Sequence, residues 1–175
     1  AVAELASLGP DAIPALLSRL SKEKDDHARL LLLTGIPRIE GEAGAQGVLA
    51  ALRLIDDPTI EQLFLDRLTR STDPQNVFVM EAVLAQAEDP QNRITIIANA
   101  ASRGVADFAG YLPGIATTDP NPLVRMEALL SAERLEATIE ATVLEDIVVS
   151  DPSAGVRRTA LELYAETHPE GFVEL

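Results

Sequence analysis

Apolar residues recur along this chain every three or four positions, with polar residues between them, as in helices that bury one face. In "DPNPLVRMEALLSAER" (119–134), Val124, Ala128, Leu129 and Ala132 share one side of a helix. In "DPSAGVRRTALELYAE" (151–166), Val156, Ala160, Leu161 and Tyr164 do the same, and the unit before these two keeps Ile94 and Ala98 when positions are counted from its aspartate. A second set of helical stretches precedes these: "DAIPALLSRLS", "AGAQGVLAALRLI", "NVFVMEAVLAQAE", "VADFAGYLPGIA" and "EATIEATVLEDIVV". Each ends shortly before an aspartate, which predicts antiparallel helix pairs joined by tight turns.

The aspartates are Asp25, Asp57, Asp89, Asp119 and Asp151, spaced 32, 32, 30 and 32 residues apart. Proline follows four of them (Pro58, Pro90, Pro120, Pro152), and Asp26 follows the first. An Asp–Pro pair is a helix start. The carboxylate caps a free backbone N–H and suits the positive end of the helix dipole, while proline has no N–H to lose in the first turn. The pattern predicts an all-α chain of five helical hairpins, at about 11–35, 43–70, 76–102, 106–135 and 139–166. A repeat near 32 residues built from helix pairs is an α-solenoid, expected here as a single domain over 1–175. "AVAELASL" reads as a lone helix before the first hairpin and "EGFVEL" as the opening of another unit. The chain is accordingly expected to be a fragment of a longer protein, and its start has neither the basic nor the long apolar region of a signal peptide.

Composition narrows the core and the partners. Aromatic residues make up 3% and tryptophan is absent, so the core must be built from Leu, Ile, Val and Ala. With no cysteine, disulfides, thiolate nucleophiles and Cys-ligated zinc are excluded together. The net charge is −14, split as 11 acids and 8 bases in residues 1–70 against 17 acids and 6 bases in 71–175. That surface repels phosphate backbones, which argues against nucleic acid; it reads either as a well-solvated flank or as a docking face in the second half for a basic protein or peptide partner. No apolar run is long enough for a membrane span. The chain reads as soluble and monomeric, with the cytoplasm favoured.

The candidate chemistry is thin. His27 beside Asp25 and Asp26 reads as a solvated helix start, and His168 as surface. The carboxylate pairs Asp56–Asp57, Glu88–Asp89 and Glu145–Asp146 fall at or near helix ends, with nothing to split their pKa values. "GEAGAQG" (41–47) lacks the Gly-Lys-Ser/Thr ending of a phosphate loop and reads as a loose turn between the first two hairpins. No catalytic, metal or cofactor-binding residue is expected.

The wording D-P-x-x-x-V-R-x-x-A-L at 119–129 and 151–161, with "LGPDAIPALLSRL" at 8–20, resembles the bacterial HEAT-like repeat. The resemblance implies a right-handed superhelix whose second helices line a concave face, with Val124, Arg125, Val156 and Arg157 holding repeat to repeat. The units at 57 and 89 depart from it, with Gln62 and Ile94 in place of Val, and Leu63 and Thr95 in place of Arg. It also implies a non-catalytic scaffold or regulatory module that binds a partner polypeptide. The positions expected to face that partner are Arg93, Asn99, Met126, Glu127, Leu130, Arg158 and Glu162, with packing against the next repeat's helix as the alternative for Met126 and Leu130. Two alternatives stand: an accessory enzyme resembling the HEAT-like bilin lyases, with a small ligand in the groove, and a structural spacer that binds nothing. The base-excising glycosylases of this class need a basic groove, which the acidic composition opposes.

Overall fold

A computed structural model describes residues 9–70 and 74–169, with only the backbone described at 74–76. The stretches "AVAELASL" and "EGFVEL" lie outside the described residues. Among those described there are ten α-helices and no strand. They are α1 (Ile13–Leu20), α2 (Asp26–Gly35), α3 (Gly41–Leu52), α4 (Pro58–Leu68), α5 (Pro74–Gln86) and α6 (Pro90–Ser102). The last four are α7 (Leu112–Thr118), α8 (Pro122–Arg134), α9 (Ala141–Ser150) and α10 (Ala154–Thr167). Short 3₁₀ turns at Pro10–Ala12, Ile36–Arg38 and Ala106–Tyr111 fill three of the joints. The last of these replaces the first half of the helix expected over 105–116.

The helices form two compact units, residues 1–96 and 97–175, with the division inside α6. In the first unit α1 packs on α3 and α3 on α5, while α2 packs on α4. In the second, α7 packs on α8 and α9 on α10, with α8 against α10 and α9 against α7. Within each unit, first helices therefore neighbour first helices and second helices neighbour second helices. This is the all-α, solenoid class of architecture.

Burial fixes the true register of the repeat. In α4, Ile60, Phe64, Leu65 and Leu68 are buried; in α6, Asn92, Ile96, Ile97 and Ala100; in α8, Val124, Ala128, Leu129 and Ala132. In α10, Val156, Ala160 and Tyr164 complete the same columns, with Leu161 half-buried. Each column advances by 32 residues without slippage. Ile94 and Ala98, expected in the core, are only half-buried because they belong to a neighbouring column. Each large aliphatic side chain so buried contributes about 1.5–3 kcal/mol relative to exposure.

The aspartates do slip. Asp25 and Asp57 are N-caps, accepting from Ala28 N–H (2.8 Å) and Thr59 N–H (2.7 Å), and Pro58 and Pro90 are the first residues of α4 and α6. The expectation that Asp119 and Asp151 also cap is corrected. They stand two residues earlier, accepting from Asn121 N–H (2.9 Å) and Ser153 N–H (2.8 Å), and Asn121 and Ser153 hold the N-cap positions. Pro120 and Pro152 consequently lie in the turns, and Pro122 takes the first position of α8. A shift of the aspartate, with no shift of the core, accounts for the single spacing of 30.

Residues 41–47 are not a loose turn but the first half of α3. The glycine there serves close approach: a Cβ on Gly47 would stand 2.8 Å from Ile36 Cγ2 and 3.3 Å from Ile13.

Candidate functional site

The second helices of the second unit, α8 and α10, are tied through the turn ahead of α10. Arg125 donates from Nη1 to the Asp119 carbonyl (2.7 Å) in its own repeat. Its Nε and Nη2 donate to the two carboxylate oxygens of Asp151 in the next, at 2.7 and 2.9 Å. The side chains are only 8% and 6% exposed. The Arg125 guanidinium holds the Asp151 carboxyl below its ordinary pKa, assisted by the Ser153 N–H and opposed by burial. Asp151 in turn raises Arg125. Arg157 repeats the first contact, from Nη1 to the Asp151 carbonyl (2.7 Å).

Arg93 belongs to this series and not to an exposed face. It is 7% exposed and donates from Nη1 to the Ala87 carbonyl, six residues back, as Arg125 and Arg157 do. The expectation of an exposed Arg93 is corrected: the offset that holds after Asp119 and Asp151, counted from Asp89, falls two residues out of register. The unit at 89 therefore retains its arginine, with Asn92 where Val124 and Val156 stand. In the unit at 57 the arginine's place goes to Glu61, which accepts from Asn92 Nδ2 at 2.8 Å.

The remaining expected residues fall along α6, α8 and α10. Met126, Glu127 and Leu130 are half-buried on one side of α8. Arg158 and Glu162, each 32 residues beyond Met126 and Leu130, are exposed on the neighbouring α10 and pair at 3.6 Å. Met126 leans on α10: its sulfur lies 4.0 Å from where a Cβ on Gly155 would stand. Glu127 accepts from Arg134 Nη1 (2.8 Å) and Ser131 Oγ (3.2 Å), so its charge is partly spent within α8. Asn99 is half-buried, with an enclosed Nδ2 that has no acceptor among the described residues. The counterparts of Met126 and Leu130 in α6 are Ile94 and Ala98.

The spacing of residues along the chain carries no sign of one further feature. A cavity of about 340 Å³ opens where the C-terminal ends of α8 and α10 meet the turn into α9, and His168 lines it. The ring of His168 stacks on Tyr164 (centroids 5.3 Å apart) and its Nδ1 lies 2.8 Å from Thr167 Oγ1. His27 is exposed. Among the described residues no group of His, Asp and Glu is arranged to hold a metal ion.

A family model for HEAT repeats matches residues 77–165, from within α5 to the last turns of α10. The chain belongs to the HEAT-repeat family. HEAT repeats generally mediate contacts between proteins and generally act as non-enzymatic scaffolds. No curated protein and no solved structure matches this HEAT-repeat chain. Among its described residues no helix is long and apolar enough to cross a membrane.

Proposed function

We propose that this HEAT-repeat chain is a non-catalytic interaction module, one repeat array that binds a basic partner polypeptide on the face carried by its second helices. The observation behind this reading is the strip formed by Met126 and Leu130 on α8 and Arg158 and Glu162 on α10. It sets half-buried apolar side chains beside exposed charges at positions that recur every 32 residues. Columns to one side of it are sealed core, so the strip is where repeats can differ without disturbing their stacking. An amphipathic helix or extended peptide meets such a surface with apolar anchors and a charged edge. The excess of 17 acids over 6 bases in residues 71–175 favours a basic partner.

The test is capture of a partner from the native host's lysate, repeated with the identified partner in purified form. Wild type is run beside Met126→Glu/Leu130→Glu and beside the exchange Arg158→Glu/Glu162→Arg. Both variants must keep the helical circular dichroism and melting temperature of the wild type. Loss of one polypeptide in both variants supports the reading. A small coloured ligand retained in place of any polypeptide would move the protein to the lyase class, and no specific capture would leave a spacer.

A further inference from the structure

The geometry points to the cavity between the ends of α8 and α10 as a receptor for a lysine or arginine side chain of that basic partner. The inference deepens the protein-binding reading and rests on it. The cavity floor is apolar and closed: Ala132, Ile139 and Leu163 are 0%, 4% and 6% exposed. Its rim is acidic, with Glu133 and Glu136 from the end of α8 and the following turn, and Glu166 from the last turn of α10. All three are exposed, and among the described residues no lysine or arginine lines the cavity. Arg134, the base in the last turn of α8, is drawn away by its 2.8 Å contact to Glu127.

Two helices end here, α8 at Arg134 and α10 at Thr167. Each C-terminus carries about half a negative charge in its last turn, which adds to the carboxylates and favours a cation. An apolar floor under a negative rim matches a long basic side chain, whose methylene stem seeks apolar contact while its head stays at the wet edge. An acidic side chain would meet repulsion at the rim, and an apolar one would leave the carboxylates unsatisfied.

The rim includes a residue held in an unfavourable conformation. Glu136 has φ 51°, in the left-handed region, and Gly104, 32 residues earlier, fills the same place with φ 67°. Both close the same helix ending: Ala137 N–H reaches the Ala132 carbonyl (2.8 Å), as Val105 N–H reaches that of Ala100 (3.1 Å). A glutamate at a site that favours glycine places a carboxylate on the rim that the fold itself does not require.

The test uses a fluorescently labelled helical peptide of lysine and alanine, titrated into the protein at low ionic strength. Backbone amide shifts are followed by NMR and affinity by anisotropy. Binding should move the signals of Ala137, Thr138, Thr167 and His168 first. Glu133→Gln/Glu136→Gln/Glu166→Gln should weaken it about tenfold, as expected for lost charge contacts. A control with the same loss of charge elsewhere, Glu42→Gln/Glu81→Gln/Asp107→Asn, should change it little. Equal loss in the control, or shifts spread evenly over the surface, would reduce the effect to net charge and overturn the inference. If the cavity variant binds normally while Met126→Glu/Leu130→Glu still abolishes capture, the cavity inference falls and the interaction face stands.

Discussion

The carboxylate of Asp151 receives both Nε and Nη2 of Arg125, at 2.7 and 2.9 Å, across 26 residues of chain. The pair lies at the joint between consecutive second helices and is more than nine-tenths buried. Arg29 and Asp56 form a looser version in the first unit. One nitrogen contacts the carboxylate at 2.8 Å, and Asp56 is 88% exposed. Asp56 is also held below its ordinary pKa by Arg29.

Breaking the buried pair should therefore be costly. Asp151→Ala or Arg125→Ala is expected to lower unfolding stability by roughly 3–5 kcal/mol, because the remaining charge is left without its partner. The double change Arg125→Met/Asp151→Leu should cost clearly less than the sum of the two single changes. Urea denaturation of the four proteins measures both the cost and the coupling.

The same pair sets a pH dependence of known sign. Asp151 has a lower pKa folded than unfolded, so its contribution is complete above the unfolded value of about 3.9 and is lost as pH falls through the folded value. The stability gap between wild type and Asp151→Asn should be constant from neutral pH down to about pH 5, then narrow steadily in stronger acid. Paired melts of the two proteins across that range would reveal it. A gap unchanged at the lowest pH would mean that the carboxylate charge contributes nothing.

Glu136→Gly should stabilise the fold by about 1 kcal/mol, since a left-handed backbone costs an L-residue that much and glycine nearly nothing. Gly104→Ala should destabilise by a similar amount, for the same reason at the equivalent place. Chemical denaturation decides both, and a loss of stability in Glu136→Gly would mean that the side chain makes a compensating contact.

At Gly47 the constraint is space. A methyl group there meets Ile36 Cγ2 at 2.8 Å, on a side chain that is itself fully buried and branched at Cβ. Gly47→Ala is expected to cost about 1–3 kcal/mol despite alanine's better helix propensity. Ile36→Leu, which moves the branch away from Cβ, should recover part of that cost in the double variant. Thermal melts of the two singles and the double measure this.

The helices were legible because the spacing of apolar residues and the recurrence near 32 agree. What the sequence concealed is the meaning of Asp–Pro. An aspartate can cap a helix itself or close a turn two residues before one, and both uses occur here, at Asp57 and at Asp151. Asn121 and Ser153, good capping residues two positions further on, were the available signal. Missing it displaced the register of the unit at 89 and put Arg93 on the outside. Glycine was similarly ambiguous at 41–47, where it permits close packing instead of a loose turn. The acidic cavity carries no linear motif, since its rim comes from α8, the following turn and α10. Only Gly104, read one period before Glu136, hints at it.

The unequal behaviour of the aspartates and the core columns bears on how such a chain can change its length. Inside a second helix a single inserted residue would rotate every later column by about 100° and unseat it from its neighbour. The stretch just ahead of that helix has no such constraint, and two residues have moved from one side of the aspartate to the other without disturbing the columns. Variation among related chains should accordingly collect in those turns as gains and losses of one or a few residues. Within the helices it should come only as whole repeats, added or deleted as blocks.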